Sequence, residues 1–406
     1  MKRFVLAIII SLFILSGNSQ TSWEKYPGNP IMTPGDPGTF NSGGYAFVTV
    51  LKNNDTLDMW FTASDQQVQR IGLAKSTNGY DFEFIESVPF FEPSGAGYFD
   101  RQGVFNPQIL KINDTTWYMW YSGLDYTNFN AAVGLAVSID GLNWQRLSTD
   151  PVLDRGSAGS FDQIVAYAGT VMLDGGIYKM WYTGMNASYV YKIGYATSPD
   201  GKIWTKYPDN PILNFFSANP KVMKTATGYQ MWYNESVDGN MYIFYAVSED
   251  GITWQSMDAP VISPWPGTFD DEGVSAPSVV FDETTGLYQL WYTAWSGSNS
   301  SYSVGYATDS TLVKTHQKNI NDINLSVFPD PVIDKSFITY KVTGLSPVAL
   351  VIYDLTGRRI LNPLNETKAS GTYTLEINCS AWPGGLYICN LLANGQALTT
   401  KFIVLK

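Results

Sequence analysis

The tripeptide Met-Trp-Tyr, or a near copy of it, occurs five times at nearly even spacing, as Met59-Trp60-Phe61, Met119-Trp120-Tyr121, Met180-Trp181-Tyr182, Met231-Trp232-Tyr233 and Leu290-Trp291-Tyr292. The successive tryptophans are 60, 61, 51 and 59 residues apart. A period of this length, filled with short alternating apolar runs and turn signals, describes a small sheet that cannot bury both faces alone. Repeating such sheets around an axis solves the problem, and the result is a β-propeller. One repeat, Pro89 to Pro151, reads as four strands: Val104 to Ile112, Trp117 to Ser122, Val133 to Ser138 and Leu142 to Leu147. Asp140-Gly141 supplies the positive-φ hairpin between the last two.

That hairpin recurs as Ser76-Thr77-Asn78-Gly79, Ser138-Ile139-Asp140-Gly141, Ser198-Pro199-Asp200-Gly201 and Ser248-Glu249-Asp250-Gly251, each followed by an aromatic three residues after its glycine. The fifth repeat stops after Val304 to Thr308, without hairpin or tryptophan. Its missing piece stands at the other end of the chain, where Trp23 to Ile31 matches Trp204 to Ile212 almost residue for residue. The expectation is an all-β chain with a five-bladed β-propeller over residues 20–312, closed by its N-terminal strand so that no sheet edge is left free. A polar linker over 313–324 holds the only histidine, His316, and residues 325–406 alternate in short strands that read as a small Ig-like β-sandwich.

Before the propeller, Lys2 and Arg3 precede a short apolar run, Phe4 to Leu15, and the small residues Gly17 and Ser19. This is the pattern of a signal peptide over residues 1–19, and the apolar run is too short to span a bilayer. A net charge of −11 argues against nucleic acid and anionic membrane as partners. Two cysteines, Cys379 and Cys389, are a pair that an exported protein could bridge, and the sequence leaves their state open.

In a four-stranded blade the loops alternate between two ends, and the longer ones, between blades and between second and third strands, mark the candidate binding face. There Phe99-Asp100, Phe161-Asp162 and Phe269-Asp270 recur, each with a glycine two residues before the phenylalanine. Three carboxylates directed toward one axis could supply the acid, the base and the tuning group of glycoside hydrolysis, for which two carboxyls about 5 to 10 Å apart are needed. A residue repeated blade after blade is also what a loop uses to tie its own backbone. Residues that break the repeat are therefore candidates as well: Glu272 and Glu235 for catalysis, Arg101, Asn106 and Asp125 for substrate binding, and Tyr126, Tyr189, Trp265 and Trp295 for stacking on sugar rings. With one histidine, in a linker, neither a Ser-His-Asp site nor a histidine metal cluster is available. No cofactor is expected, and structural calcium on carboxylates is possible but not indicated.

Three resemblances accompany these motifs. The Ser-x-Asp-Gly-x-x-Trp hairpins resemble the Asp-box of sialidase propellers, one residue shorter. The blade pattern (Tyr-x-Met-Trp-Tyr-Thr-Gly, then Ile-Gly-Tyr-Ala-Thr-Ser-x-Asp-Gly-x-x-Trp, then Tyr-Pro-x-Asn-Pro-Ile-Leu) resembles the five-bladed superfamily of arabinanases, xylosidases, invertases and mannoside phosphorylases. That resemblance implies a funnel on the axis with acids on the first strands. The positions where arabinanase-like members carry those acids hold Asn106, Asn219 and Ala276 here, and lie near Ala46 and Ala168 in the other two blades. In the tail, Val327-Phe328-Pro329-Asp330-Pro331, Ile352 to Arg358, Pro383-Gly384-Gly385-Leu386-Tyr387-Ile388 and Lys401-Phe402-Ile403 resemble the C-terminal sorting domain of type IX secretion. It implies passage through the periplasm and outer membrane of a Gram-negative cell. Two functions are carried forward: a secreted glycoside hydrolase acting on a polysaccharide or oligosaccharide, and a non-catalytic glycan-binding or scaffold propeller at the cell surface.

Overall fold

The computed structural model describes residues 23–86, 89–125, 130–213, 215–297, 299–309, 325–342, 346–354, 358–393 and 396–406. The expected signal peptide, the linker with His316, and Tyr126 lie outside these residues. Every described element is a strand, and the described chain divides into two units, a large one within residues 23–309 and a small one within residues 325–406. Among the described residues no helix is long and apolar enough to cross a membrane.

In the large unit, β1 (Glu24–Lys25) is followed by five antiparallel sets. The first is β2 (Gly44–Asn53), β3 (Thr56–Ser64), β4 (Gln69–Ser76) and β5 (Glu83–Phe84). The second is β6 (Gly103–Asn113), β7 (Thr116–Asp125), β8 (Asn130–Ser138) and β9 (Gln145–Arg146). In the third the first strand is split into β10 (Val165–Tyr167) and β11 (Val171–Asp174), before β12 (Ile177–Met185), β13 (Tyr191–Ser198) and β14 (Thr205–Lys206). The fourth is β15 (Ser217–Thr225), β16 (Gly228–Val237), β17 (Asn240–Ser248) and β18 (Gln255–Ser256). The fifth is β19 (Gly273–Asp282), β20 (Leu287–Ser296) and β21 (Asn299–Asp309), and its fourth member is β1, paired as Glu24↔Thr308 and Lys25↔Ala307. The outer strands are shorter than the alternation predicts, two residues each, and in three of the hairpins the aromatic (Trp144, Trp204, Trp254) turns back to donate its indole N–H to the hairpin glycine carbonyl.

The Met-Trp-Tyr strands lock one set to the next. Each tryptophan is buried, at most 1% exposed, and packs into the core of the following set: Trp60 against Trp117, Trp120 against Tyr178, Trp181 against Tyr229, Trp232 against Tyr288, and Trp291 in the core of the first set with Val50 and Met59. Burial of one indole contributes about 2–3 kcal/mol, and five such contacts hold the sets edge to edge without a disulfide. Trp120, Trp181 and Trp291 also donate their N–H to the hairpin carbonyls of Gly201, Gly251 and Gly79 in the following set. The hairpin itself is built by its side chains: Ser198 Oγ accepts the Gly201 N–H, and Asp200 accepts those of Lys202 and Ile203. Gly201 has a φ of 74°, which its position under Trp120 requires of a residue without Cβ.

The first strand of each set is interrupted at one place. Phe47, Asn106, Asn219 and Ala276 have φ between 46° and 52°, and the ladder slips there in a bulge; in the third set Ala168-Gly169 separates β10 from β11. Positive φ at such residues costs energy. The cost is offset by a hydrogen bond made with the residue that follows Met-Trp-Tyr in the preceding set: the Asn106 N–H donates to Thr62 Oγ1, Ala168 to Ser122, Asn219 to Thr183, Ala276 to Asn234, and Phe47 to Thr293. The last of these joins the first set to the fifth.

The small unit has a three-stranded sheet, β22 (Leu325–Phe328), β23 (Lys335–Val342) and β26 (Gly371–Asn378), and a four-stranded sheet, β24 (Ser346–Asp354), β25 (Arg359–Lys368), β27 (Gly385–Ala393) and β28 (Gln396–Val404). Both contribute to one core, with Ile338, Tyr340 and Ile377 from the first sheet and Leu350, Leu391 and Phe402 from the second. In the sequence the alternation is blurred at β25 by Pro363 and at β23 by the exposed Phe337. Cys379 and Cys389 are both buried free thiols, their pKa pushed up by burial, that of Cys389 to about 12.

Candidate active site

The three repeated aspartates are fully enclosed. Asp100 accepts Tyr121 OH at 2.9 Å and Arg146 Nε at 2.7 Å, and Ser94 Oγ donates to its other oxygen. Asp162 accepts Tyr182 OH at 2.9 Å and Lys206 Nζ at 2.6 Å. Asp270 accepts Tyr292 OH at 3.2 Å, Lys25 Nζ at 2.6 Å and Thr268 Oγ1 at 2.6 Å. Each clip thus joins an interset loop, the tyrosine of Met-Trp-Tyr and a cation on the outer strand. Burial and the neighbouring carboxylate push all three tyrosine pKa values far above the ordinary phenol, which keeps the hydroxyls as donors. The outer-strand cations were absent from the sequence-derived candidates, yet a signal for them exists. Trp-x-Arg/Lys occurs at Trp144-Gln145-Arg146, Trp204-Thr205-Lys206 and Trp23-Glu24-Lys25, in the three sets that have Phe-Asp. The other two have Phe82-Glu83-Phe84 and Trp254-Gln255-Ser256.

The fourth set differs in a way that frees a carboxylate. In the second and third sets the residue two beyond the tyrosine is Gly123 or Gly184, and a Cβ there would come within 2.6 Å of the Asp100 or Asp162 side chain lying on it. The fourth set has only a short loop before β15, and Glu235 occupies the equivalent position, paired with Ser217 and Tyr242. The Tyr233 hydroxyl lies between Ser256 Oγ, at 3.1 Å, and the Glu235 carboxylate. Among the described residues no lysine or arginine pairs with Glu235 in the place that Arg146 and Lys206 fill elsewhere. Burial raises the Glu235 pKa, and the Tyr233 hydrogen bond offsets that only in part.

Beside Glu235 lies an aromatic arc that sequence reasoning missed. Phe215 packs on Tyr233 at 6.1 Å, and Phe216 on Tyr191 at 5.6 Å. The arc continues through Tyr167, 6.3 Å from Tyr191, to Phe105 at 5.0 Å and Phe47 at 5.5 Å, reaching the bulge of the first set. Tyr189, 68% exposed and held at a φ of 61° by the Asn186 turn, stands two residues before Tyr191. The arc joins residues that are far apart in sequence, so no local pattern announces it.

The remaining candidates are dispersed. Arg101 Nη2 pairs with Asp125 at 3.0 Å. Asn106 is buried and donates through Nδ2 to the Ala168 carbonyl. Glu272 is exposed against Gly297, and Trp295 packs edge-on to Tyr302. Trp265 is half exposed with Lys25 Nζ 4.7 Å above its ring. Among the described residues no group of three His, Cys, Asp or Glu side chains is placed to hold a metal ion.

Comparison with known proteins now bears on this geometry. Residues 129–311 match the family model of β-1,4-mannooligosaccharide phosphorylase, and residues 326–405 match that of the secretion system C-terminal sorting domain. Two curated proteins of Mycobacterium tuberculosis, the uncharacterized proteins Rv1502 and MT1551, are each 31% identical over 229 residues, which is 51% of this chain and 72% of theirs. The chain belongs to the same family as these proteins. Over residues 129–311 the large unit is thus similar to glycosidases and phosphorylases, and the tail is a type IX secretion sorting domain, which directs the chain to the surface or outside of a Gram-negative cell. The fold agrees. A structure of the GH130 family of mannoside phosphorylases, which contains glycoside hydrolases that target β-1,2 mannosidic linkages in Candida mannan, has a TM-score of 0.58 at 18% identity, covering 73% of this chain and 95% of that one. A putative glycoside hydrolase from Bacteroides ovatus has a TM-score of 0.58 at 17% identity, covering 72% and 97%.

Proposed function

We propose that the five strand sets are the blades of a propeller closed by β1, that residues 325–406 form an Ig-like sandwich cut off from it by a linker over 313–324, and that the exported propeller cleaves glycosidic bonds of oligosaccharides with Glu235 as proton donor. The observation that carries this reading is the fourth set: among the described residues Glu235 is a half-buried carboxylate of raised pKa without an ion-pair partner, close to the exposed Phe215 packed on Tyr233. A general acid must be protonated to hand its proton to the leaving glycosidic oxygen, and burial shifts the Glu235 pKa in that direction. The exposed Phe215 and Tyr189 offer apolar faces to pyranose rings. Asp100, Asp162 and Asp270 are assigned to the clips rather than to chemistry, since each already has a cation and a tyrosine hydroxyl. The attacking group is water or phosphate, the two that glycosidases and phosphorylases use.

The test is turnover of β-mannooligosaccharides with and without phosphate, following reducing ends and sugar phosphate separately. Glu235→Gln is expected to lower kcat by about a hundredfold or more with its melting temperature unchanged; an equally active variant removes Glu235 from the chemistry. The first-strand positions Asn106, Asn219 and Ala276, none acidic, favour a second reading, a surface glycan-binding propeller. That reading wins if the folded wild type binds mannooligosaccharides and turns none over.

A further inference from the structure

A pocket of about 410 Å³ opens at the end of the fifth set where β20 turns into β21, lined among others by Pro34, Phe269, Asp271, Ser296, Ser301 and Ser303. It is more than ten times the about 30 Å³ that a water molecule occupies. Its origin is visible in the repeat. Leu153 bridges Val133 in the second set as Met32 bridges Val304 in the fifth, so Arg155 and Pro34, two residues further on, take the same place. Asn130 and Ser301 both stand three residues before those valines, Arg101 and Asp271 both follow Phe-Asp, and Asp125 and Ser296 both stand five residues beyond the tryptophan. In the second set these places hold side chains tied to one another: Arg101 Nη2 pairs with Asp125 at 3.0 Å, and Arg155 Nη1 donates to Asn130 Oδ1 at 2.7 Å. In the first set Arg70, in the place of Ser303, pairs with Asp65 at 2.8 Å. The fifth set has a proline, an aspartate and serines there, too short to span the gap, and the space stays open.

We propose that this pocket binds one neutral sugar residue at a site of its own, with Asp271 accepting hydrogen bonds from the sugar hydroxyls. Glu235 is not among the lining residues. The choice of a sugar rests on the oligosaccharide reading above; the pocket and its carboxylate do not. Where the second set has an arginine in an ion pair, the fifth has a carboxylate without one. Among the described residues Asp271 has no cation partner and accepts no hydrogen bond, and its Oδ1 is shut off from solvent. A charge that the protein leaves uncompensated is met by donors on the pocket side. The lining includes no lysine or arginine, which speaks against an anion. A calcium ion takes about six to eight oxygens at close range, and one carboxylate in a space this wide does not gather them. A sugar fits what is present. Its hydroxyls donate to the carboxylate and exchange hydrogen bonds with the serines, each both donor and acceptor, and its C–H groups meet the apolar Phe269 and Pro34 in the wall.

The experiment is equilibrium titration of the whole exported chain with mannose, glucose, galactose and xylose, which have no glycosidic bond to break, beside calcium chloride and ethanolamine. The proteins are wild type, Asp271→Asn, and the double variant Asp271→Arg with Ser296→Asp, which carries in the fifth set the ion pair of the second. Turnover of β-mannooligosaccharides is followed in the same proteins. The expected result is that at least one of the four sugars binds, that Asp271→Asn weakens it by about tenfold or more, and that the double variant, its pocket filled, loses it, with melting temperature unchanged in Asp271→Asn. Sugar affinity that is the same in wild type and folded Asp271→Asn, or no binding of any of the four sugars to wild type, overturns the inference. Calcium or ethanolamine bound instead, and lost in Asp271→Asn, overturns the sugar as the occupant. If sugar binding depends on Asp271 and no mannooligosaccharide is turned over, the Glu235 reading falls and this one stands; if mannooligosaccharides are turned over and sugar binding ignores Asp271, only this inference falls.

Discussion

Asp162 stands between the Tyr182 hydroxyl and the Lys206 ammonium, 3% exposed at its side chain, and Glu235 has a tyrosine hydroxyl beside it and, among the described residues, no ion-pair partner. The same residue chemistry is thus set to two different tasks by its neighbours. Removing the charge of Asp162 leaves Lys206 without its counter-ion, so Asp162→Asn is expected to destabilise by about 3 kcal/mol, discounted toward 2 because Lys206 is partly exposed, with kcat retained below the melting range. A thermal melt beside an assay decides: unchanged melting with lost turnover would return Asp162 to the chemistry. For Glu235 the prediction concerns pH. A general acid works in its protonated form, and the raised pKa extends that form to higher pH than for an ordinary carboxyl near 4.3. Activity is therefore expected to fall on the alkaline side of the profile, through a pKa above that value, and Tyr233→Phe, which removes the hydrogen bond favouring the ionised form, is expected to move that limb to still higher pH. A limb that stays in place shows that Tyr233 does not tune the acid.

At the scale of elements, the hairpins and the Met-Trp-Tyr strands are the parts most legible in sequence, because each is specified within a dozen residues. Ser198, Asp200, Gly201 and Trp204 make their hydrogen bonds to one another, and a local pattern suffices to read them. The contacts between sets are only half legible. That Trp181 is buried follows from its repeat, but that its indole meets the hairpin of the following set at Gly251 depends on how the sets pack. Trp181→Ala is accordingly expected to cost about 3–5 kcal/mol. Trp232→Ala is expected to cost less, since the Trp232 indole N–H has no partner among the described residues. Equilibrium unfolding in urea measures both; equal losses would mean that the indole hydrogen bond contributes nothing beyond burial. The site was the least legible part. Glu235 stood out as a break in the repeat, but its significance lies in a loop that is short and a cation that is missing, and the arc from Phe215 to Phe47 is assembled from four sets by bulges that no sequence window contains.

At the scale of the whole molecule, residue 25 is tied to residue 270. Lys25 Nζ donates to Asp270 at 2.6 Å and to the Ser263 carbonyl at 2.7 Å, with only 6% of its side chain exposed, against 28% for Lys206 and 20% for Arg146 in the equivalent clips. Desolvation lowers the Lys25 pKa, and the Asp270 carboxylate works against that shift. This clip is the most enclosed of the three and the one that unites the two ends of the large unit. Lys25→Met leaves a buried, unpaired Asp270 and is expected to destabilise by about 3–5 kcal/mol, more than Lys206→Met. The pair Lys25→Met with Asp270→Asn removes both charges and is expected to recover a substantial part of the loss, because no uncompensated charge is then buried. Chemical denaturation of the four proteins, wild type, two singles and the double, completes the cycle. A Lys25→Met variant as stable as wild type would mean that β1 does not dock on β21 in solution, and the large unit would then have to carry an open edge at β21.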